Sequence, residues 1–164
     1  MRDSNSALVT NTTPLIAMVA AIGSLDAFRF LYGRVIVPCE VAAEVRAGGK
    51  EAFGVDVFLD AHWLDIQQAD VTLQPFLKNS LDRGEASVIQ TAMNLDVPLV
   101  CIDEVVGRRV ARLCGLNVTG TVGVLLKAQQ VGFAVSIPEA LRRMREHGIW
   151  LSDNVVQFAL AQGQ

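Results

Sequence analysis

The chain has 164 residues, 51% of them hydrophobic, and a net charge of -3, with a pI of about 5.3 and a mean hydropathy of +0.36. That length makes one domain with room for a substantial core, and the acidic balance argues against a general nucleic-acid coat protein. No apolar run reaches the roughly 18 residues of a membrane span; Asp3 and its polar neighbours stand where a signal peptide is apolar, so a cytoplasmic protein with no membrane partner is expected.

Ala7 to Asn11 reads as a short strand. Thr12-Thr13-Pro14 then supplies a capping hydroxyl and a first-turn proline for a helix that Gly23 ends. Ser24 to Leu31 is a second short helix, and Arg34 to Val37 a β-branched strand. Pro38 opens a helix to about Arg46, closed by Gly48-Gly49. Glu51 to Ala61 is expected to be helical and Trp63 to Ile66 an edge strand, while Asp70 to Ser80 has no clear pattern. A helix from Gly84 to Leu95 feeds the strand Leu99 to Ile102, and the helix from Glu104 stops at Gly115. A strand at Asn117 to Thr119 and helices at Thr121 to Val131, Pro138 to His147 and Ser152 to Ala161 complete the chain.

Strands alternating with helices predict an α/β fold: a central, mostly parallel, twisted sheet of about 4–5 strands, covered by helices on both faces. The α/β body spans about residues 7–132, and the helices at about 138–161 form a C-terminal appendage within one domain, 1–164. The excess apolar surface suits both sheet faces and a partner interface. Cys39, Cys101 and Cys114 show neither pairing nor metal spacing and are expected as reduced thiols.

The most informative stretch is Pro98-Leu99-Val100-Cys101-Ile102-Asp103-Glu104, a buried-strand pattern that stops on two acids. Ligands of open α/β sheets gather at the carboxyl ends of strands. Asn11 ends the first strand there, Asp103 ends this one, and Glu85 lies in the first turn of the helix that leads into it. Glu44 sits nearly two turns into its helix and is placed near the edge only loosely. Three carboxylates and an amide would repel one another without a cation, and an all-oxygen set suits Mg²⁺ or Mn²⁺. Each residue also has a structural reading. Asp82 to Glu85 has capping-box spacing, Asp103 can cap the helix that follows it, and Glu44 can be a solvated helix residue.

Asn11-Thr12-Thr13-Pro14-Leu15-Ile16, Val37-Pro38 through Glu44, and Leu81-Asp82-Arg83-Gly84-Glu85-Ala86 occur in that order. Ile102-Asp103-Glu104 through Arg109 and Leu116 through Gly123 follow. Together these motifs resemble the PIN-domain family, in its branch of VapC-like toxin ribonucleases with a Gly-Glu-Ala motif, from Leu8 to about Leu160. The resemblance implies a PIN-like fold and a metal-dependent ribonuclease whose acidic pocket holds Mg²⁺ or Mn²⁺. Carried over by motif, Asn11, Glu44, Glu85 and Asp103 are the catalytic and metal-binding residues, with Glu104 as a neighbouring acid and Thr12 and Thr121 as polar supports. Asn11 is the departure: many members carry aspartate there, and its carbonyl oxygen ligates a metal with one negative charge fewer.

Arg108, Arg109 and Arg112 flank the acids, either as contacts to an RNA backbone or as a solvated face; Arg83, next to Glu85, is placed either to touch a phosphate or to pair with Asp82. Trp150, Val155, Val156 and Leu160 are an apolar set, for core packing or for a dimer or antitoxin groove. The implied function is an endoribonuclease, the toxin of a toxin–antitoxin pair, with RNA as substrate, an antitoxin partner and a homodimeric state. The alternative is a weak or inactive PIN-like module that binds RNA or protein, favoured by Asn11. A phospho-receiver would carry an acidic pair after the first strand and a lysine after the last, and Asn11-Thr12 and Thr119-Gly120 stand there instead.

Overall fold

The computed structural model describes residues 3–49 and 51–163. Its elements run β1 (Asp3–Thr10), α1 (Thr12–Ile22), α2 (Asp26–Leu31), β2 (Tyr32–Val37), α3 (Cys39–Ala47), α4 (Val55–Asp60), β3 (Asp65–Ile66), α5 (Pro75–Ser80) and α6 (Arg83–Asn94). They continue through β4 (Leu99–Cys101), α7 (Val105–Leu113), β5 (Asn117–Thr119), α8 (Thr121–Gln130), α9 (Ile137–Glu146) and α10 (Asp153–Gln162). Among the described residues this is an α/β fold with one five-stranded, all-parallel sheet in the order β3-β2-β1-β4-β5.

The order fixes where a ligand can sit. From β1 the chain builds outward to β2 and β3, then crosses back to lay β4 on the other flank of β1. Connections therefore depart in opposite directions from β1 and β4, and a crevice opens at their carboxyl ends. Val9 pairs with Val100 and Thr10 with Cys101, and the Asn11 amide donates to the Cys101 carbonyl at 3.1 Å. Asn11 and Asp103 thus stand just past the carboxyl ends of the adjacent strands β1 and β4.

Both sheet faces are covered, and the strands are correspondingly apolar: Leu8, Val9, Ile36, Val37, Val100 and Cys101 are fully buried. β1 begins earlier than the apolar pattern does, because backbone pairing with β2 extends through its polar start. The region without a sequence pattern contains α5, a six-residue helix opened by Pro75. The stretch expected to be helical from Glu51 narrows to α4, entered through Gly54 at φ 82°. α9 presents Ile137, Ala140, Leu141 and Met144 to the common core, a stripe at helical spacing that packs on α1. α10 rests on α8 and α9 through Ala159.

Candidate functional site

Asn11 is the N-cap of α1, with extended backbone at φ -86° and ψ 174°, yet its side chain makes no capping bond. An N-cap asparagine normally accepts from an amide of the first turn. Here the amide group is buried, 5% exposed, and faces across the crevice instead. The hydroxyl expected to cap this helix does not: Thr12 Oγ1 is buried without a hydrogen-bond partner.

The sharpest convergence is at Gly84, in the first turn of α6. A Cβ there would lie 2.8 Å from Glu44 Oε2, 3.4 Å from Asn11 Oδ1 and 3.5 Å from Asp82 Oδ1. Oxygens from β1, α3 and the start of α6 therefore crowd around one point, and only glycine leaves that point open. The position of Glu44, loose in sequence, follows from the packing of α3 on α6.

Glu85 occupies the next position and turns toward α7. Asp82 caps α6 by accepting the Glu85 amide at 2.9 Å, which is half of a capping box. Glu85 does not close the other half. Its Oε1 is buried and unpartnered, 3.1 Å from where a Cβ on Gly107 would stand. Burial first, and then the charges of Asp82 and Glu104, lift its carboxyl from the ordinary 4.5 to about 7.

Asp103 does not cap α7, whose N-cap is Glu104. Its carboxylate instead crosses to the start of α8, accepting the Thr121 amide at 2.8 Å and the Thr121 hydroxyl at 2.7 Å. That fixes the carboxylate with charge-assisted bonds at a helix N-terminus. Arg108 approaches the same spot: a Cβ on Gly120 would meet Asp103 Oδ1 at 2.6 Å and Arg108 Nη1 at 2.9 Å. Arg108 Nη1 also donates to the Ile102 carbonyl at 2.8 Å. It is a strut holding the β4–α7 turn beside Asp103, and not the outward-facing cation that its spacing with Arg112 suggests.

The remaining arginines divide. Arg109 and Arg112 are exposed on α7. Arg83 pairs with Asp70 at 3.1 Å and not with its neighbour Asp82. Glu104 is exposed beside Glu85.

The structure thus gathers Asn11, Glu44 and Asp82 about Gly84, sets Glu85 alongside, and places Asp103 two residues past the end of the adjacent strand β4. It does not draw Glu44, Glu85 and Asp103 into a closed cage. The one triad of potential ligand atoms within 4.8 Å of one another, among the described residues, is Cys39, Glu40 and Asp70. Sequence reasoning missed that triad, because Asp70 lies in the stretch without a pattern; the adjacent Cys39-Glu40 after Pro38 was the available signal. An open, all-oxygen crevice with a buried, unpartnered carboxylate oxygen at Glu85 fits a hard divalent ion. Such an ion keeps several waters and is held by only one or two carboxylates, and Glu85 Oε1 has no hydrogen-bond partner among the described residues.

The fold and site define an open, all-parallel α/β domain with acidic side chains at its switch point. A family model described as a PIN domain matches residues 7–164, nearly the whole chain. The chain belongs to the PIN-domain family, whose members are in general nucleases that use divalent metals. No curated protein matches the sequence.

Proposed function

We propose that this chain is a Mg²⁺- or Mn²⁺-dependent endoribonuclease of the VapC-like branch, the toxin component of a toxin–antitoxin pair. The observation that carries the reading is the meeting of Asn11 Oδ1 and Glu44 Oε2 over Gly84, with Glu85 next to it and Asp103 across the β1–β4 crevice. Asn11, Glu44, Glu85 and Asp103 would hold the ion, with Glu104 at the margin. When bound, the ion lowers the pKa of a water and offsets charge on the phosphodiester under attack.

The chain's own residues supply the rest. Thr121 keeps the Asp103 carboxylate in one orientation, and Arg108 braces the Ile102 carbonyl beside it. Asp82 holds the first turn of α6, so that Gly84 and Glu85 are positioned before any ligand arrives. Burial and the charges of Asp82 and Glu104 raise the Glu85 pKa to about 7, and positive charge in the crevice would favour its ionised form. Arg109 and Arg112, exposed beside the acids, suit an RNA backbone. Trp150, Phe158 and Leu160 are 82%, 59% and 47% exposed, and with Val105, Val106 and Leu113 they offer apolar surface for an antitoxin or a second copy. No helix among the described residues is long and apolar enough to cross a membrane.

The test is cleavage of a mixed RNA substrate by purified protein with Mn²⁺, against Glu44→Gln and Asp103→Asn. Both variants should lose cleavage while keeping the wild-type circular dichroism. Wild-type protein that cuts no RNA, or variants that cut as well as wild type, would remove the enzyme reading. Asn11 favours a second reading, a binding module with a weakened pocket. Titration calorimetry distinguishes it, since that module would take up no Mn²⁺ at millimolar concentration.

A further inference from the structure

A second set of ligand atoms stands at the same sheet edge, on the β2–β3 side. Cys39 and Glu40 open α3 directly after β2, and Asp70 follows the carboxyl end of β3. One ligand atom from each lies within 4.8 Å of the other two. Glu40 is 8% exposed; its Oε2 receives only a long bond from the Val71 amide at 3.5 Å, and its Oε1 is buried with no partner. Among the described residues no cation is bonded to either oxygen.

A carboxylate buried in this way is costly unless something positive meets it. The Cys39 thiol is hydrogen-bonded to Asp70, and that bond, then burial and the charges of Asp70 and Glu40, push its pKa up against a smaller lowering by Arg46; Cys39 and Arg46 both line a groove of about 470 Å³. Asp70 is paired with Arg83, but both side chains are largely exposed, at 60% and 68%, so that pair contributes little. The groove, bordered also by His62, Asp65 and Gln67, connects Cys39 to solvent and gives an ion a way in.

We propose that Cys39, Glu40 and Asp70 form a second, chemically distinct metal site, selective for a thiophilic divalent ion of the zinc class. A thiolate ligand favours zinc over magnesium or manganese, which prefer oxygen alone. Zinc–sulfur bonds of about 2.3 Å and zinc–oxygen bonds of about 2.0–2.2 Å put tetrahedral donors about 3.5 Å apart. Since every pair of ligand atoms already lies within 4.8 Å, the three side chains need draw in by no more than about 1.3 Å per pair. They supply three of four positions and leave one for water or an added ligand. Binding releases the thiol proton to solvent. The proposal does not rest on the nuclease reading, because the ligand sets have no residue in common.

The experiment uses the whole, chelator-stripped protein and Co²⁺ as the probe. Sulfur–cobalt coordination gives a near-ultraviolet charge-transfer band that the oxygen-only crevice at Asn11, Glu44, Glu85 and Asp103 cannot produce. The band should rise to a stoichiometric end point, bleach on adding Zn²⁺, and persist in excess Mg²⁺. It should vanish in Cys39→Ser, persist in Cys114→Ser, and require at least about tenfold more Co²⁺ in Asp70→Asn. Absence of the band in wild type, or its persistence in Cys39→Ser, overturns the site. If Cys39→Ser does not fold, Asp70→Asn decides on its own, since that residue is exposed, and unchanged Co²⁺ affinity there overturns the site equally.

Discussion

Replacing Glu85 with glutamine should stabilise the metal-free protein above neutral pH, by an amount that follows from the surroundings of the carboxyl. Glu85 is 5% exposed, and burial, followed by the charges of Asp82 and Glu104, raises its pKa from 4.5 to about 7. The folded state therefore keeps this proton to a higher pH than the unfolded chain does. Below 4.5 both states hold it and the side chain imposes no pH dependence; between 4.5 and about 7 the folded state binds more protons, so stability falls as pH rises. The loss has a ceiling of about 3 kcal/mol, and solvent screening of the exposed Asp82 and Glu104 brings it nearer 1–2 kcal/mol, an order-of-magnitude figure. The glutamine side chain of the variant carries no charge at any of these values. In calorimetric scans with chelator, Glu85→Gln should melt about 2–8 °C above wild type at pH 8 for a domain of this size, and close to wild type at pH 4. Adding Mn²⁺ at pH 8 should stabilise wild type more than the variant and narrow or reverse the gap. A gap of equal size at both pH values, or a variant less stable at pH 8, would refute the assigned origin of the shift.

Asn11→Asp adds a carboxylate where Asn11 Oδ1 already faces Glu44 Oε2, so Mn²⁺ affinity by calorimetry should rise about tenfold; an unchanged affinity would place the ion elsewhere. Thr121→Val removes the 2.7 Å bond to Asp103 Oδ2, which should cost about 1–2 kcal/mol in urea unfolding and reduce cleavage more than it reduces RNA binding. Arg109→Gln combined with Arg112→Gln should flatten the dependence of log affinity for single-stranded RNA on log salt by roughly 1.4, whereas an unaltered slope would leave that face to solvent. Met144→Ala opens a hole at a position that is 1% exposed and should cost about 2–4 kcal/mol, measured by chemical denaturation; a near-neutral result would mean that α9 adds little to the core.

The elements were legible wherever turn chemistry and periodicity agreed. Pro14 with Gly23, Pro38 with Gly48, and Asp82 ahead of Gly84 each mark a helix end by a local backbone requirement, so those bounds fall within a residue or two. The switch point was legible too, because alternating strands and helices constrain an α/β sheet and the acids stand at strand ends. The direction of each side chain was not. Asp103 is bound to Thr121, 18 residues away, through the β4–β5 pairing that brings the start of α8 alongside. Arg108 has the helical spacing of a solvated face, and only the tight β4–α7 turn lets it reach the Ile102 carbonyl. Neither contact has a local signature.

Helix α3 shows most plainly why spacing alone cannot assign roles to acids. Glu40 and Glu44 are four residues apart and share a face, yet Glu40 is buried whereas Glu44 is exposed. The difference arises from neighbours that local sequence does not reveal: Val71 and the β3 exit close over the first turn, while Gly84, lacking a Cβ, leaves room over the second. Glu44 can therefore swing toward Asn11 within water's reach, where a hydrated hard ion is held most readily. Glu40 cannot, and one of its carboxylate oxygens lies within 4.8 Å of ligand atoms of Cys39 and Asp70. Under the two proposals above, the same residue type on one helix face would meet two different cations, and what separates them is the atom set each can reach, oxygen alone at the β1–β4 crevice and sulfur with oxygen beside β3.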